Sequence, residues 1–159
     1  LHDGIEFTSM AERPDLAPDL VAAWNEVAQD IPSPIAWATL DTTQVRAHLE
    51  LPADGQWPAG VRIAVDTATD TIAAFSALIP MPGSSGAAYA NRMTGVLRAR
   101  RGSGLAYAVK LDGVRWAARA GVRELLTTND TDNAAMRAVN ERLGFETIFV
   151  ITVYEIGLR

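Results

Sequence analysis

The stretch Thr94-Gly-Val-Leu-Arg-Ala-Arg-Arg-Gly-Ser-Gly-Leu-Ala106 constrains the fold of this chain more than any other. It runs from an apolar, strand-like segment through three arginines and two glycines into a long helical pattern. A helix that starts straight out of a glycine turn leaves its first backbone N–H groups without intrahelical partners. With the helix dipole behind them and arginine beside them, those groups favour an anion, phosphate above all. The motif lacks the Lys-Ser/Thr ending of a Walker A loop. It also lacks GxGxxG spacing, because Gly102 and Gly104 are followed by Leu105-Ala106-Tyr107. Read alone it is a turn or a phosphate site, and its arginines are a solvated patch or anion ligands.

The elements around it fix the fold class. Ile5 to Met10 alternates apolar and polar residues and predicts a first strand. Asp15 to Ile31 carries Leu16, Leu20, Ala23, Trp24 and Val27 at helical spacing, and Pro32 and Pro34 end that helix. Residues 31–40 form a loop with Trp37. Asp41 or Thr42 caps a short helix from Thr43 to Leu49. Val61 to Val65 and Thr71 to Ile79 read as a hairpin around Asp66-Thr-Ala-Thr-Asp70, and Ala87 to Leu97 is the next strand. Ser103 to Ala120 is a long helix with Leu105, Val109, Trp116 and Ala120 on its apolar face and Lys110, Arg115 and Arg119 elsewhere. Gly113 within it predicts close packing on a sheet, and Gly121 stops it. A short strand follows at Glu124 to Thr128, then a polar cluster, 129–133, that caps a helix ending near Leu143 and Gly144. Phe145 to Leu158, largely β-branched or aromatic, predicts a final strand or pair of strands. The order β-α-α-β-β-β-α-β-α-β belongs to an α/β layered structure with a mixed sheet.

Composition removes several function classes. At 159 residues the chain is one domain with room for a core. It contains no cysteine, so thiolate zinc sites, disulfides and cysteine nucleophiles are out, and two histidines, His2 and His48, make neither a metal cluster nor a Ser-His-Asp triad. No metal is expected. A net charge of −5 argues against nucleic acid as the main partner. No run of ~20 apolar residues spans a bilayer and no secretory signal pattern is present, so the expected setting is cytoplasmic. The chain opens on Leu1, which suggests trimming or an upstream tandem segment.

A second constellation lies on the last helix. Asn133 and Asn140 are seven residues apart, hence on one face and ~10 Å apart along the axis. Asn133 is either a helix N-cap or a ligand contact. Asn140, beside the apolar stripe of Met136, Val139 and Leu143, is either a core amide or a ligand contact.

With both motifs in view, Arg101-Gly-Ser-Gly104-Leu-Ala106 resembles the Arg/Gln-x-x-Gly-x-Gly/Ala signature of the GNAT superfamily of acetyl-CoA-dependent N-acyltransferases. Thr94-Gly-Val-Leu resembles that family's fourth strand, and Asn133 to Phe145 resembles its Asn…Gly-Phe helix. Residues 94–145 carry the specific match, and residues 1–90 match in layout. The resemblance implies a mixed, mostly antiparallel sheet of six or seven strands flanked by about four helices, with a strand splay at the CoA site. It implies acetyl-CoA as cosubstrate, with the pyrophosphate held by N–H groups of Gly102, Ser103, Gly104, Leu105 and Ala106. Val96 and Leu97 would pair by main chain with the pantetheine, Arg98, Arg100 or Arg101 would meet phosphate, and Asn133 would line the arm.

Where many relatives place a tyrosine that protonates the departing thiolate, this chain has Asn140, an amide with no proton to give at neutral pH. Tyr107, Tyr89 and Tyr154 are its other phenols, and no motif places them at the sulfur. No Asp or Glu lies between Ala87 and Val96, which leaves a water relay or a carboxylate such as Asp130 or Asp132 as base. The acceptor amine would be set by the loop 30–40, with Trp37, and by Tyr89, Asn91 and Arg92. Three readings follow: an N-acetyltransferase using direct attack by an amine; a CoA-binding or structural domain of a larger protein; and a generic nucleotide-phosphate pocket. A homodimer, with the apolar segment from Ile148 to Ile156 meeting a partner, is also open.

Overall fold

A computed structural model describes residues 2–31, 38–152 and 156. Strand β1 (Ile5–Ser9) leads through a 3-10 turn at Pro14–Leu16 into α1 (Ala17–Ala28), and α2 (Thr42–His48) follows. The hairpin β2 (Val61–Asp66) and β3 (Thr71–Pro80) comes next, then β4 (Ala88–Val96), α3 (Leu105–Arg119), β5 (Glu124–Thr127) and α4 (Ala134–Arg142). The sheet order is β1-β2-β3-β4-β5, antiparallel throughout except for the parallel β4–β5 pair.

The side-chain pattern of the hairpin decides which helix lies on which face. Ile63, Val65, Phe75, Ala77 and Ile79 pack with Leu20, Trp24 and Val27 of α1 and Val45 of α2. The alternate residues Ala64 and Ala74 pack with Leu105 and Val109 of α3. Bulk on one face and alanine on the other let α3 sit close to the sheet. A Cβ built on Gly113 would stand 3.1 Å from Leu78 Cδ1, and one on Gly60 would stand 2.2 Å from the Leu78 carbonyl oxygen. Glycine at 113 is therefore a spacing residue.

Helix ends follow local chemistry. Asp41 accepts from the Gln44 N–H at 2.8 Å while the Gln44 side chain accepts from the Asp41 N–H at 2.9 Å, a capping box. At the far end of α4, Gly144 takes φ +88°, its N–H bonds the Glu141 carbonyl, and the Phe145 N–H bonds the Asn140 carbonyl. This Schellman closure throws the chain off the helix axis.

The expectation of six or seven strands is corrected: the described residues hold five. Residues 145–152 form no ladder, and the rest of the expected final strand lies outside the described residues apart from Ile156. Ile148, Phe149, Val150 and Ile151 are each at least 64 % exposed. The reason is that β-branched composition sets only a preference, whereas a strand exists only where a neighbouring backbone pairs with it. The outer edge of β5 was the partner on offer. Segment 145–151 stands off from it across a cleft of about 850 Å³.

Candidate functional site

The pairing of β4 with β5 stops halfway along β4. It covers Ala88 to Asn91 against Glu124 to Thr127, and from Met93 to Val96 only β3 among the described strands remains paired to β4. The five strand residues from Arg92 to Val96 span about 16 Å, so the two parallel strands part over that length. The β3–β4 register slips at the same point, pairing Ala77 with Met93 and Leu78 with Asn91, which leaves Arg92 as a bulge. Such an extra residue shifts the in–out alternation by one. Met93 turns into the core on the α1 face, while Asn91 and Thr94 bond each other and Ser76 within the sheet.

At the far end of the splay, β4 passes through a 3-10 turn at Arg98–Arg100 into the mouth of α3. Gly102 and Gly104 take φ +74° and +82°, which favour glycine, and Gly104 is the N-cap with no side chain closing the helix. Among the described residues, a Cβ on Gly102 would meet nothing within 4 Å, and one on Gly104 would meet only His2 Cε1, at 3.7 Å. The first turn of a 15-residue helix thus opens into free space with its N–H groups uncapped. The Ser103 hydroxyl is directed elsewhere and bonds the Arg100 carbonyl.

The arginines of this turn are already engaged. Arg98 and Arg101 both grip Asp30, at 2.7 and 2.6 Å, and hold its carboxyl well down, at about 2. Arg100 pairs with the buried Asp66. Arg101 Nε also donates to the Val96 carbonyl at 3.1 Å, while the Leu97 N–H bonds the Ala73 carbonyl on β3. Main-chain direction alternates along a strand, so Val96 faces the open side and Leu97 the paired side.

Between the two ends lies a cleft of about 310 Å³. Trp24 and His48 line it from the α1–α2 face, Asn91 to Thr94 from β4, Lys110 from α3, and Asn133 and Met136 from α4. Trp24 stacks on Phe75 at 5.9 Å, and its buried indole N–H has no partner among the described residues. Lys110 is 4 % exposed, contrary to its sequence-predicted place off the apolar face of its helix. Its Nζ donates to Asn91 Oδ1 at 3.0 Å and lies 5.2 Å from the Phe145 ring, and burial pushes its pKa down to about 8.

The geometry matches known proteins at the level of the whole fold. A GCN5-related N-acetyltransferase from Kribbella flavida superposes with a TM-score of 0.65 at 21 % identity, covering 94 % of this chain and 86 % of that one. AAC(6')-Iy, in complex with the bisubstrate analogue CoA-S-monomethyl-acetylneamine, gives 0.65 at 16 % identity, covering 97 % and 99 %. The chain has the fold of the GCN5-related N-acetyltransferases. A third structure with this fold, yncA from Salmonella typhimurium with its cofactor acetyl-CoA, gives 0.65 at 16 % identity, covering 91 % and 80 %. No protein-family model and no curated protein matches the sequence.

Within the GCN5-related fold the expected site residues divide. Val96 to Ala106 run without a break from the end of β4 into the mouth of α3, and Asn133 and Arg92 line the 310 Å³ cleft. Asn133 is also the N-cap of α4, accepting from the Met136 N–H at 3.2 Å, and Arg92 is ion-paired to Glu50 at 2.6 Å. Tyr89 lies below the splay, edge-on to Trp116 at 5.5 Å. Asn140 faces the β5 side instead: its amide donates to Asn129, and its buried Oδ1 has no partner among the described residues. Asp130 reaches the lip of the cleft, whereas Asp132 does not line it. Trp37 and Tyr154 lie outside the described residues. Sequence reasoning missed Lys110, Trp24 and His48 as cleft residues. The one signal available was a lysine next to Val109 on a helix whose buried stripe runs through Gly113.

Proposed function

We propose that this chain is an N-acetyltransferase that moves an acetyl group from acetyl-CoA to a primary amine. One observation carries the reading: an uncapped, sterically open helix mouth adjoins the end of a splay between two parallel strands. The pyrophosphate would meet the N–H groups of Gly102 to Ala106. The arm would run along the open side of β4, past Val96, towards the cleft at Asn91–Thr94 and Asn133. Arg98 and Arg101 would reach phosphate by loosening their hold on Asp30, and Arg101 by releasing Val96. The acceptor would enter from the side lined by Arg92 and His48. Holding amine and thioester together supplies much of the rate, and amide N–H groups polarise the carbonyl. The fold shared with solved structures that hold acetyl-CoA or a CoA analogue supports the ligand. A homodimer and a cytoplasmic setting belong to the same reading.

The alternative, a domain that binds CoA without turning it over, is favoured by Asn140, which offers no acid and lies off the cleft. Thermal melting with acetyl-CoA, followed by turnover with a panel of primary amines, separates them. At a ligand concentration one hundred times Kd, binding adds about 2.7 kcal/mol, a rise of roughly 5–10 °C for a chain of this size. No shift at millimolar acetyl-CoA refutes both; a shift without turnover leaves the binding domain.

A further inference from the structure

The vertex of the splay holds a cation with no counter-ion among the described residues. Asn91 is the last β4 residue paired with β5, and its side chain anchors a closed ring of hydrogen bonds: Asn91 Nδ2 to Ser76 Oγ at 2.8 Å, Ser76 Oγ to Thr94 Oγ1 at 3.2 Å, and Thr94 Oγ1 to Asn91 Oδ1 at 2.9 Å. Because Thr94 donates to Asn91, Ser76 must be the donor to Thr94, and the ring fixes Asn91 Oδ1 as a pure acceptor. Lys110 Nζ adds a second donor to that oxygen. The remaining ammonium protons face the Phe145 ring and the cleft.

A fully buried lysine is ordinarily paired with a carboxylate, because burying a lone charge is costly. Several titratable groups on the elements around Lys110 are committed to other partners. On its own helix Asp112 is bonded to Arg62 and Tyr107 is covered by Arg142 of α4. On β4 Arg92 is paired with Glu50. His48 of α2 and Asp130 after β5 line the same cleft. No salt bridge to Lys110 exists among the described residues.

We infer that Lys110 is the proton donor to the departing sulfur in the acetyl transfer proposed above, a role that rests on that reading. As the amine nitrogen bonds the acetyl carbon and the C–S bond breaks, the sulfur takes the electron pair and Lys110 Nζ gives it a proton. The neutral Lys110 amine then recovers a proton from the nitrogen of the product, so the sum is amine plus thioester to amide plus thiol. An ammonium of lowered pKa both attracts the thiolate and releases its proton readily. The Ser76–Asn91–Thr94 ring holds the side chain in place and offers it no proton acceptor but an amide oxygen.

The test needs no acceptor. Free CoA is bound to the wild-type chain and to Lys110→Met, and the thiol is titrated by its thiolate absorbance. The bound thiol should titrate roughly 1–3 pH units lower in the wild type. Coincident curves, with CoA bound to both, overturn the role of Lys110 alone; absence of CoA binding to the wild type overturns the acetyl-CoA reading with it. If Lys110→Met does not fold, the 13C-labelled lysine signal of the wild type decides: CoA must move the Lys110 titration upward, and an unmoved titration overturns the inference. With a working acceptor, Lys110→Arg keeps the charge but cannot release a proton, so kcat should fall by ~100-fold or more with CoA binding retained. Undiminished kcat overturns it.

Discussion

Replacing Lys110 by methionine should make the protein more stable at neutral pH. Burial lowers the ammonium from 10.5 to about 8, and at ~1.4 kcal/mol per pH unit the charged form costs about 3 kcal/mol in the fold. Methionine has similar length and no charge, so it removes that cost. Against it stand the lost bond to Asn91, about 1 kcal/mol, and the contact with Phe145, about 0.5 kcal/mol or more. Asn91 Oδ1 keeps its bond from Thr94, so no acceptor is orphaned. The net gain is about 1–2 kcal/mol, a rise in Tm of roughly 3–6 °C. The sign with pH is fixed by the depressed value. Between about 8 and 10.5 the unfolded chain binds more protons than the folded one, so wild-type stability climbs with pH there. Melting curves of both proteins from pH 7 to 10.5 should therefore converge from the methionine side and cross, the wild type ending ahead by about 1 kcal/mol once its charge penalty is gone and only the lost contacts count. A Lys110→Met protein that melts below the wild type by the same margin across that range would refute the reasoning.

Gly104→Glu should abolish the acetyl-CoA melting shift, because it sets a carboxylate at the helix mouth; the strain of a side chain at φ +82° adds about 1–2 kcal/mol of destabilisation, seen in the unliganded melt. Asp30, held down to about 2 by Arg98 and then Arg101, contributes stability that is present above its unfolded value near 3.8 and lost as pH falls towards 2; acid titration by circular dichroism should show that loss in the wild type and a flatter profile in Asp30→Asn. Gly60→Ala should cost about 2–4 kcal/mol in denaturant melts, since its Cβ would collide with the Leu78 carbonyl, whereas Gly113→Ala, facing a movable Leu78 methyl and gaining about 1 kcal/mol of helix propensity, should stay within about 1 kcal/mol of wild type.

Much of the molecule is legible in its residues wherever a short-range rule decides. The cap at Asp41, the glycine turn before α3 and the alternating hairpin all follow from local chemistry, and the structure has them within a residue or two. What was hidden depends on partners distant in sequence. Lys110 is buried because α3 rests on alanines of β2 and β3, which lie 30 or more residues away, and the buried stripe consequently runs through Lys110, Gly113 and Ala117 rather than Trp116 and Ala120. The bulge at Arg92 comes from the register with β3, so Tyr89 and Arg92 part company although they are three residues apart. The apolar tail reads as strand by composition, but pairing needs an edge, and the described part of it takes none.

The clasp of Asp30 on Arg98 and Arg101 bears on timing more than on affinity. Three arginines beside a helix mouth suggest a beacon for polyanions, yet Asp30 and Asp66 pair with them and the Glu26 carboxylate accepts from the Arg98 backbone N–H, three carboxylates against three arginines on a chain whose net charge is −5. Long-range attraction acts on net local charge, so on the acetyl-CoA reading the ligand would approach a nearly silent surface and meet the cleft by ordinary diffusion, at rates on the order of 10⁵–10⁷ M⁻¹s⁻¹ that change little with ionic strength. On the acetyl-CoA reading the arginines would change partners only after contact. Selection then resides in how slowly the bound ligand lets go, and a small anion that cannot also fill the splay leaves as quickly as it came.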